Sequence, residues 1–333
     1  MRSSILVVPA LLLALVPSIA WADDLADCAK LVASPYETDY RDTGHELLGD
    51  VDIQAAEAAC LAAVEADPDS MQARTWQARI HYYFGEYQTA LDLLEPAAKA
   101  KNPYAQQMLG DILIDGLGGI PVDEARALDL LKASAAAGFA PGQNSLGVSY
   151  ERGQGVAVDM EKAAEYYGLA AKQGMPTAQV NLGILYTNGT GVKEDDARAA
   201  ELFRSAAESG DASGMNSLGV SYELGEGIEQ DYALAMEWYR KAAEGGSAIA
   251  TANVGNLYLE GLGVPVDQQR GLKWVSKSAS ADNSYGKFLL AGLYEEGVGI
   301  DRDLDYAIEL YRQAAELGST SAEDALIRLG KAQ

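Results

Sequence analysis

The chain has 333 residues, 48% of them hydrophobic, with 49 Asp plus Glu against 25 Lys plus Arg and a formal net charge of −24. That apolar content is that of a folded protein and argues against a disordered chain. The acidity argues against duplex nucleic acid and anionic membrane surfaces as partners, because both are held by basic groups.

In chain order, residues 1–22 read as a secretory signal peptide. Arg2 supplies the positive start, residues 5–16 the apolar stretch, and Ala20-Trp21-Ala22 a small-x-small cleavage pattern. The apolar stretch is short for a membrane span and is broken by Pro9, and nothing later is long enough to cross a bilayer. The expectation is a periplasmic or secreted bacterial protein starting at Asp23, with net charge −25, no lipid-accepting Cys at its start and no stable membrane insertion after cleavage.

Residues 23–69 read as an N-terminal cap. A short helix is predicted in DDLADCAKLVA and another in DIQAAEAACLAAVEA, closed by DPDS. Cys28 and Cys60 are the only cysteines, and in an exported protein an isolated pair favours a disulfide over a metal or redox site. A bridge closing that loop is worth about 3 to 4 kcal/mol. Residues 37–69 carry ten acids and one Arg. They are either a solvated surface that maintains solubility or a docking site for a basic partner, whose association would slow as salt rises. Residues 70–104 follow with a predicted helix from about Ser70 to Phe84, a turn at Gly85, and a second helix bearing Tyr87, Ala90, Leu94 and Ala97.

From there a unit of 36 residues recurs. Tyr150, Tyr186, Tyr222, Tyr258 and Tyr294 keep that spacing, as do Asp159, Asp195, Asp231, Asp267 and Asp303 and the glycine pairs beginning at Gly153, Gly189, Gly225, Gly261 and Gly297. An earlier copy holds Leu109-Gly110, Gly116, Asp123 and Ala127, with one extra residue in its GLGGIPVD loop, so six copies span residues 105–318. Each copy predicts two helices. The first presents the LGxxY residues on one face, where the Gly admits a close neighbour. A GxG pair ends it, since glycine enters left-handed backbone cheaply, and the Asp caps the second helix. That helix carries small residues and aromatics (Tyr167, Phe203, Tyr239 and Tyr311 among them) and stops at Gly174, Gly210, Gly246 and Gly318. Residues 319–333 read as a closing helix.

The pattern resembles the Sel-one-like repeat, a branch of the tetratricopeptide-repeat superfamily. Local departures are Ala291 for the first-helix Gly, Gly271 for Ala, and Asp282 for the closing Gly. The resemblance implies an all-α, right-handed α/α superhelical solenoid, makes residues 70–104 a degenerate tetratricopeptide-like unit, and implies an adaptor that holds another protein. Related periplasmic members are associated with control of membrane sensor proteins.

Chemistry is sparse. His45 and His81 are the only histidines, with no second one near either, so the usual His-ligated metal centre is not expected, and no HExxH, GxSxG or P-loop occurs. Ser284 and Lys287 fit SxxK, without its companion motifs and at the start of a predicted helix. Asp301, Asp303 and Asp305 open like a calcium loop, yet Tyr306 stands where Gly is needed and Arg312 where Glu is needed. No cofactor or metal is expected. The alternative function is a penicillin-recognising or cell-wall hydrolase, suggested for cysteine-rich relatives, but those carry Cys pairs in many repeats and this chain has none between residues 105 and 318.

By resemblance to tetratricopeptide arrays, partners lie along the inner surface, at four positions of each first helix. These are Asn144, Val148, Glu151 and Arg152; Val180, Ile184, Thr187 and Asn188; Asn216, Val220, Glu223 and Leu224; Ala252, Asn256, Leu259 and Glu260; and Phe288, Gly292, Glu295 and Glu296. Their helical spacing puts each set on one face. Asn and Glu recurring amid small apolar residues suit an extended peptide or a basic protein segment.

Overall fold

The recurring aspartates and glycines are the helix boundaries in the structure, a computed structural model that describes residues 20–37 and 52–331. Among the described residues there are seventeen α-helices and no strand. They form two compact units, residues 1–139 and 140–333.

The first unit contains α1 (Ala20–Val32), α2 (Ile53–Ala66), α3 (Met71–Tyr83), α4 (Tyr87–Lys99), α5 (Pro103–Asp115) and α6 (Glu124–Ala136). Residues 1–19 of the expected leader, His45, and most of the acidic stretch between residues 37 and 52 lie outside the described residues; α1 begins at Ala20, within the expected cleavage pattern. Cys28 and Cys60 form a disulfide that ties α1 to α2, both cysteines being fully buried. Beside it, the indole Nε1 of fully buried Trp76 donates to both Glu37 carboxylate oxygens at 3.0 and 3.2 Å, and Arg79 Nη1 donates to the Val32 carbonyl at 2.6 Å. Those bonds satisfy polar groups that would be costly to bury unpaired. Gly85 turns α3 into α4 with φ 74°.

The second unit contains α7 (Ala140–Arg152), α8 (Met160–Ala171), α9 (Pro176–Asn188), α10 (Asp196–Glu208), α11 (Ala212–Leu224), α12 (Tyr232–Glu244), α13 (Ala248–Glu260), α14 (Gln268–Ser280), α15 (Ser284–Glu296), α16 (Leu304–Glu316) and α17 (Thr320–Arg328). Each helix packs on its sequence neighbour.

Two hydrogen bonds explain the fixed Tyr-to-Asp spacing. The carboxylates of Asp159, Asp195, Asp231, Asp267 and Asp303 accept from main-chain N–H groups three residues on, at 2.9 to 3.0 Å. The main-chain N–H of each of these aspartates donates back to the carbonyl of the preceding LGxxY tyrosine, at 2.9 to 3.0 Å. One residue therefore starts the second helix and satisfies an orphan carbonyl at the end of the first. In the first unit Asp123 does the same to the Leu113 carbonyl, and the 3-10 turn Leu117–Gly119 takes up the extra residue of that copy.

The first-helix glycine is a contact requirement. A Cβ on Gly219 would lie 2.6 Å from the Tyr239 ring, and one on Gly147 would lie 2.7 Å from the Tyr167 ring. Both rings are fully buried, so helices of a pair meet with an aromatic edge over bare backbone.

Candidate functional site

The first-helix positions expected to face a partner do not all reach the surface. Asn144, Glu151, Asn216, Glu223, Asn256 and Glu295 are half-buried, and Arg152, Asn188, Leu224, Glu260 and Glu296 are exposed. Ile184 is 44% exposed and Leu224 56%. Val180 and Ala252 are buried instead. The reason is that α9 packs directly on α11 and α13 directly on α15, which sinks Val180 into a cluster with Phe203, Ala206 and Leu218.

Most of the polar members are held in place by hydrogen bonds. Tyr167, Tyr239 and Tyr311 donate their hydroxyls to Oε2 of Glu151, Glu223 and Glu295, at 2.5 Å for Tyr239 and 2.9 Å for Tyr311. Burial first, and then the hydrogen bond to the carboxylate, pushes all three hydroxyls up, so each remains a donor in any physiological range. Between these copies the same positions are apolar or uncharged: Thr187 opposite Phe203 and Leu259 opposite Val275. Asparagines keep the same alternation. Asn181 Nδ2 donates to Asn144 Oδ1 at 3.1 Å and Asn253 Nδ2 to Asn216 Oδ1 at 3.0 Å, bridging α7 to α9 and α11 to α13. The structural period of this face is therefore two repeats, 72 residues, a doubling the 36-residue reading did not detect.

Near the C-terminal end the face deepens into an open cleft of ≈ 690 Å³. It gathers seven of the expected residues, the polar Asn256, Glu260, Glu295 and Glu296 over a floor that includes Leu259, Phe288 and Gly292. Asn256 Nδ2 donates to Glu260 Oε1 at 3.0 Å. Lining residues outside the expected set include Asp324 and Arg328 of α17. One more 36-residue step from Phe288 and Gly292 finds both. Arg328 forks onto Glu295, Nη1 to Oε1 and Nη2 to Oε2, each at 2.7 Å. The Arg328 bond is the main force lowering the Glu295 carboxyl below its ordinary range, with the Tyr311 hydroxyl assisting and burial opposing.

The opposite faces differ in charge. The second helices α8, α10, α12, α14 and α16 carry ten acids and nine bases, the mixture of a solvated surface. First helices α7, α9, α11, α13 and α15 carry Glu151, Glu223, Glu260, Glu295 and Glu296 against Arg152 and Lys287. Lys287 is engaged, its Nζ 3.1 Å from Asp282 and 2.9 Å from the Gln313 amide oxygen, rather than directed at the Ser284 hydroxyl of the SxxK match. Asp303 caps α16, and among the described residues no group of three or more metal-ligating side chains converges. Among them, no helix is long and apolar enough to cross a membrane. In the first unit, His81 Nδ1 lies 2.7 Å from Glu86 Oε2.

The Sel1 repeat family matches six consecutive segments, residues 103–139, 140–175, 176–211, 212–247, 248–283 and 284–319. The chain belongs to the Sel1 repeat family. Among solved structures, a Sel1 repeat protein from Oxalobacter formigenes is 30% identical with TM-score 0.66, covering 72% of this chain and 96% of that one. A protective antigen of uropathogenic Escherichia coli strains, displaying an SLR fold, is 31% identical with TM-score 0.60 over 92% of this chain, which spans 66% of the antigen's length. The Cut9–Hcn1 hetero-tetramer of APC/C, at 15% identity and TM-score 0.56 over 83% of this chain and 52% of that one, shares the helical fold alone. No curated protein sequence matches the chain. Sel1 repeat proteins are in general protein-interaction scaffolds.

Proposed function

We propose that this Sel1 repeat protein is a non-catalytic scaffold of the bacterial periplasm or exterior, holding a polypeptide partner along the first-helix face of its second unit. The observation that carries this is the asymmetry of charge and anchoring between faces. Second-helix charges balance, whereas first-helix acids outnumber first-helix bases five to two and in three cases are pinned by buried tyrosines. A side chain held by a buried donor loses little freedom on binding, which lowers the entropic cost of capture. The alternating apolar positions Ile184, Leu224 and Leu259 supply contact area between the acids. The buried disulfide and the apolar leader-like start of the chain support an oxidising compartment outside the cytoplasm. Regulation of a membrane sensor or of an envelope assembly is a role such a scaffold would serve.

Site-specific photo-crosslinking in cells tests this face by face. A photoreactive residue at Asn188, Leu224 or Glu260 is expected to capture one discrete species, and the same probe at Glu201 or Glu237 on the second helices is expected to capture none. Capture confined to the second helices would overturn the assignment.

A further inference from the structure

The glutamates at 72-residue spacing share one construction but not one state. Glu151, Glu223 and Glu295 each sit one residue after an LGxxY tyrosine and each accept a hydroxyl from a buried tyrosine sixteen residues on. At Glu295 the rest of the carboxylate is filled by Arg328, which makes the planar two-bond fork that guanidinium and carboxylate form. Arg328 stands in the 36-residue register of Ile184 and Asn256, which occupy the corresponding place beside Glu151 and Glu223 and supply no charge. Among the described residues neither of those two glutamates forms an ion pair, and Oε1 of each accepts no hydrogen bond.

We propose that Glu151 and Glu223 are two guanidinium-binding stations, two repeats apart, for arginine side chains of an extended partner segment, with Glu295–Arg328 the same station filled from within the chain. The proposal rests on the first-helix face being the partner surface. It names arginine because the internal occupant shows which cation the braced carboxylate accepts. A guanidinium forks onto a carboxylate with two parallel bonds, and an ammonium does not. Helices packed about 8 to 10 Å apart put stations two repeats apart at roughly 16 to 20 Å, or about six residues of extended chain.

The test uses the full chain and synthetic labelled peptides in fluorescence anisotropy. One peptide carries two arginines six residues apart in a Gly/Ser/Leu background, a second carries lysines in their place, and a third carries three arginines at the same interval. The two-arginine peptide is expected to bind, with Glu151→Gln and Glu223→Gln each weakening it about tenfold, or about 1.4 kcal/mol. Glutamine still accepts the tyrosine hydroxyl, and an unchanged melting temperature will separate lost charge from lost fold. Arg328→Gln is expected to strengthen binding of the three-arginine peptide by opening the third station. Equal affinity of the lysine peptide, or binding indifferent to both glutamine variants, would overturn the stations. In the latter case, retained crosslinking from Leu224 would show that the first-helix face still docks its partner by other contacts, while loss of crosslinking as well would remove the broader assignment.

Discussion

The carboxylate of Glu295 is held by a guanidinium and a phenol at once, and this fixes how acid acts on the C-terminal end of the second unit. Its folded pKa lies below the ordinary value of 4.5, so the native state binds fewer protons than the unfolded chain in that window. The stability it contributes is complete above about pH 4.5 and is lost as pH falls through the depressed value. Urea unfolding of the protein and of Arg328→Gln should differ by a constant amount from pH 7 to 5 and converge at lower pH; a gap that widens in acid would contradict the pairing. Asp282 shows the opposite kind of residue. It takes the place of a closing glycine at φ 52°, left-handed backbone that side chains resist. Its ion pair with Lys287 offsets little, because the Asp282 side chain is 84% exposed. Asp282→Gly should therefore stabilise the protein by about 1 kcal/mol, read as a higher melting temperature.

Helix pairs show which features a single sequence makes legible. The capping aspartates, the glycine stops and the 36-residue period are local backbone requirements, and each repeats often enough to be seen: Asp159 and its equivalents must cap and close a loop in every copy. Exposure along the first helices is not local. Val180 and Ala252 were expected at the surface and are buried because every second first helix abuts the next, a property of inter-helix contact that recurs over 72 residues. The sequence trace of it was the alternation Glu151, Thr187, Glu223, Leu259, Glu295, with Tyr167, Phe203, Tyr239, Val275 and Tyr311 opposite. Arg328 and Asp324 are hard to find in the sequence because residues 319–333 follow the last full copy and carry no LGxxY signature to set their register. The departure at Gly271 also has a physical cause. A Cβ there would lie 2.5 Å from Leu259 Cγ, so the larger residue on one helix requires the smaller on the other. Gly271→Ala should cost about 2 kcal/mol and Leu259→Ala should relieve most of it, giving a coupling of about 1 to 2 kcal/mol in a double-mutant cycle. Additive effects would refute the pairing.

For the whole molecule, repeat arrays hold together through nearest neighbours, so a perturbation in one unit is felt first by adjoining helices. Replacing Cys28 and Cys60 by alanine should destabilise the first unit by about 3 to 4 kcal/mol. Amide exchange should quicken in α1, α2 and α3 while remaining unchanged in α9 to α17. The same technique addresses the function most directly, once a crosslinked partner has been purified. Its addition should slow amide exchange in first helices α7, α9, α11, α13 and α15 and leave α8, α10, α12, α14 and α16 as they were. Protection of the second helices, or of the first unit alone, would contradict the assignment of the first-helix face as the surface on which this protein holds its partner.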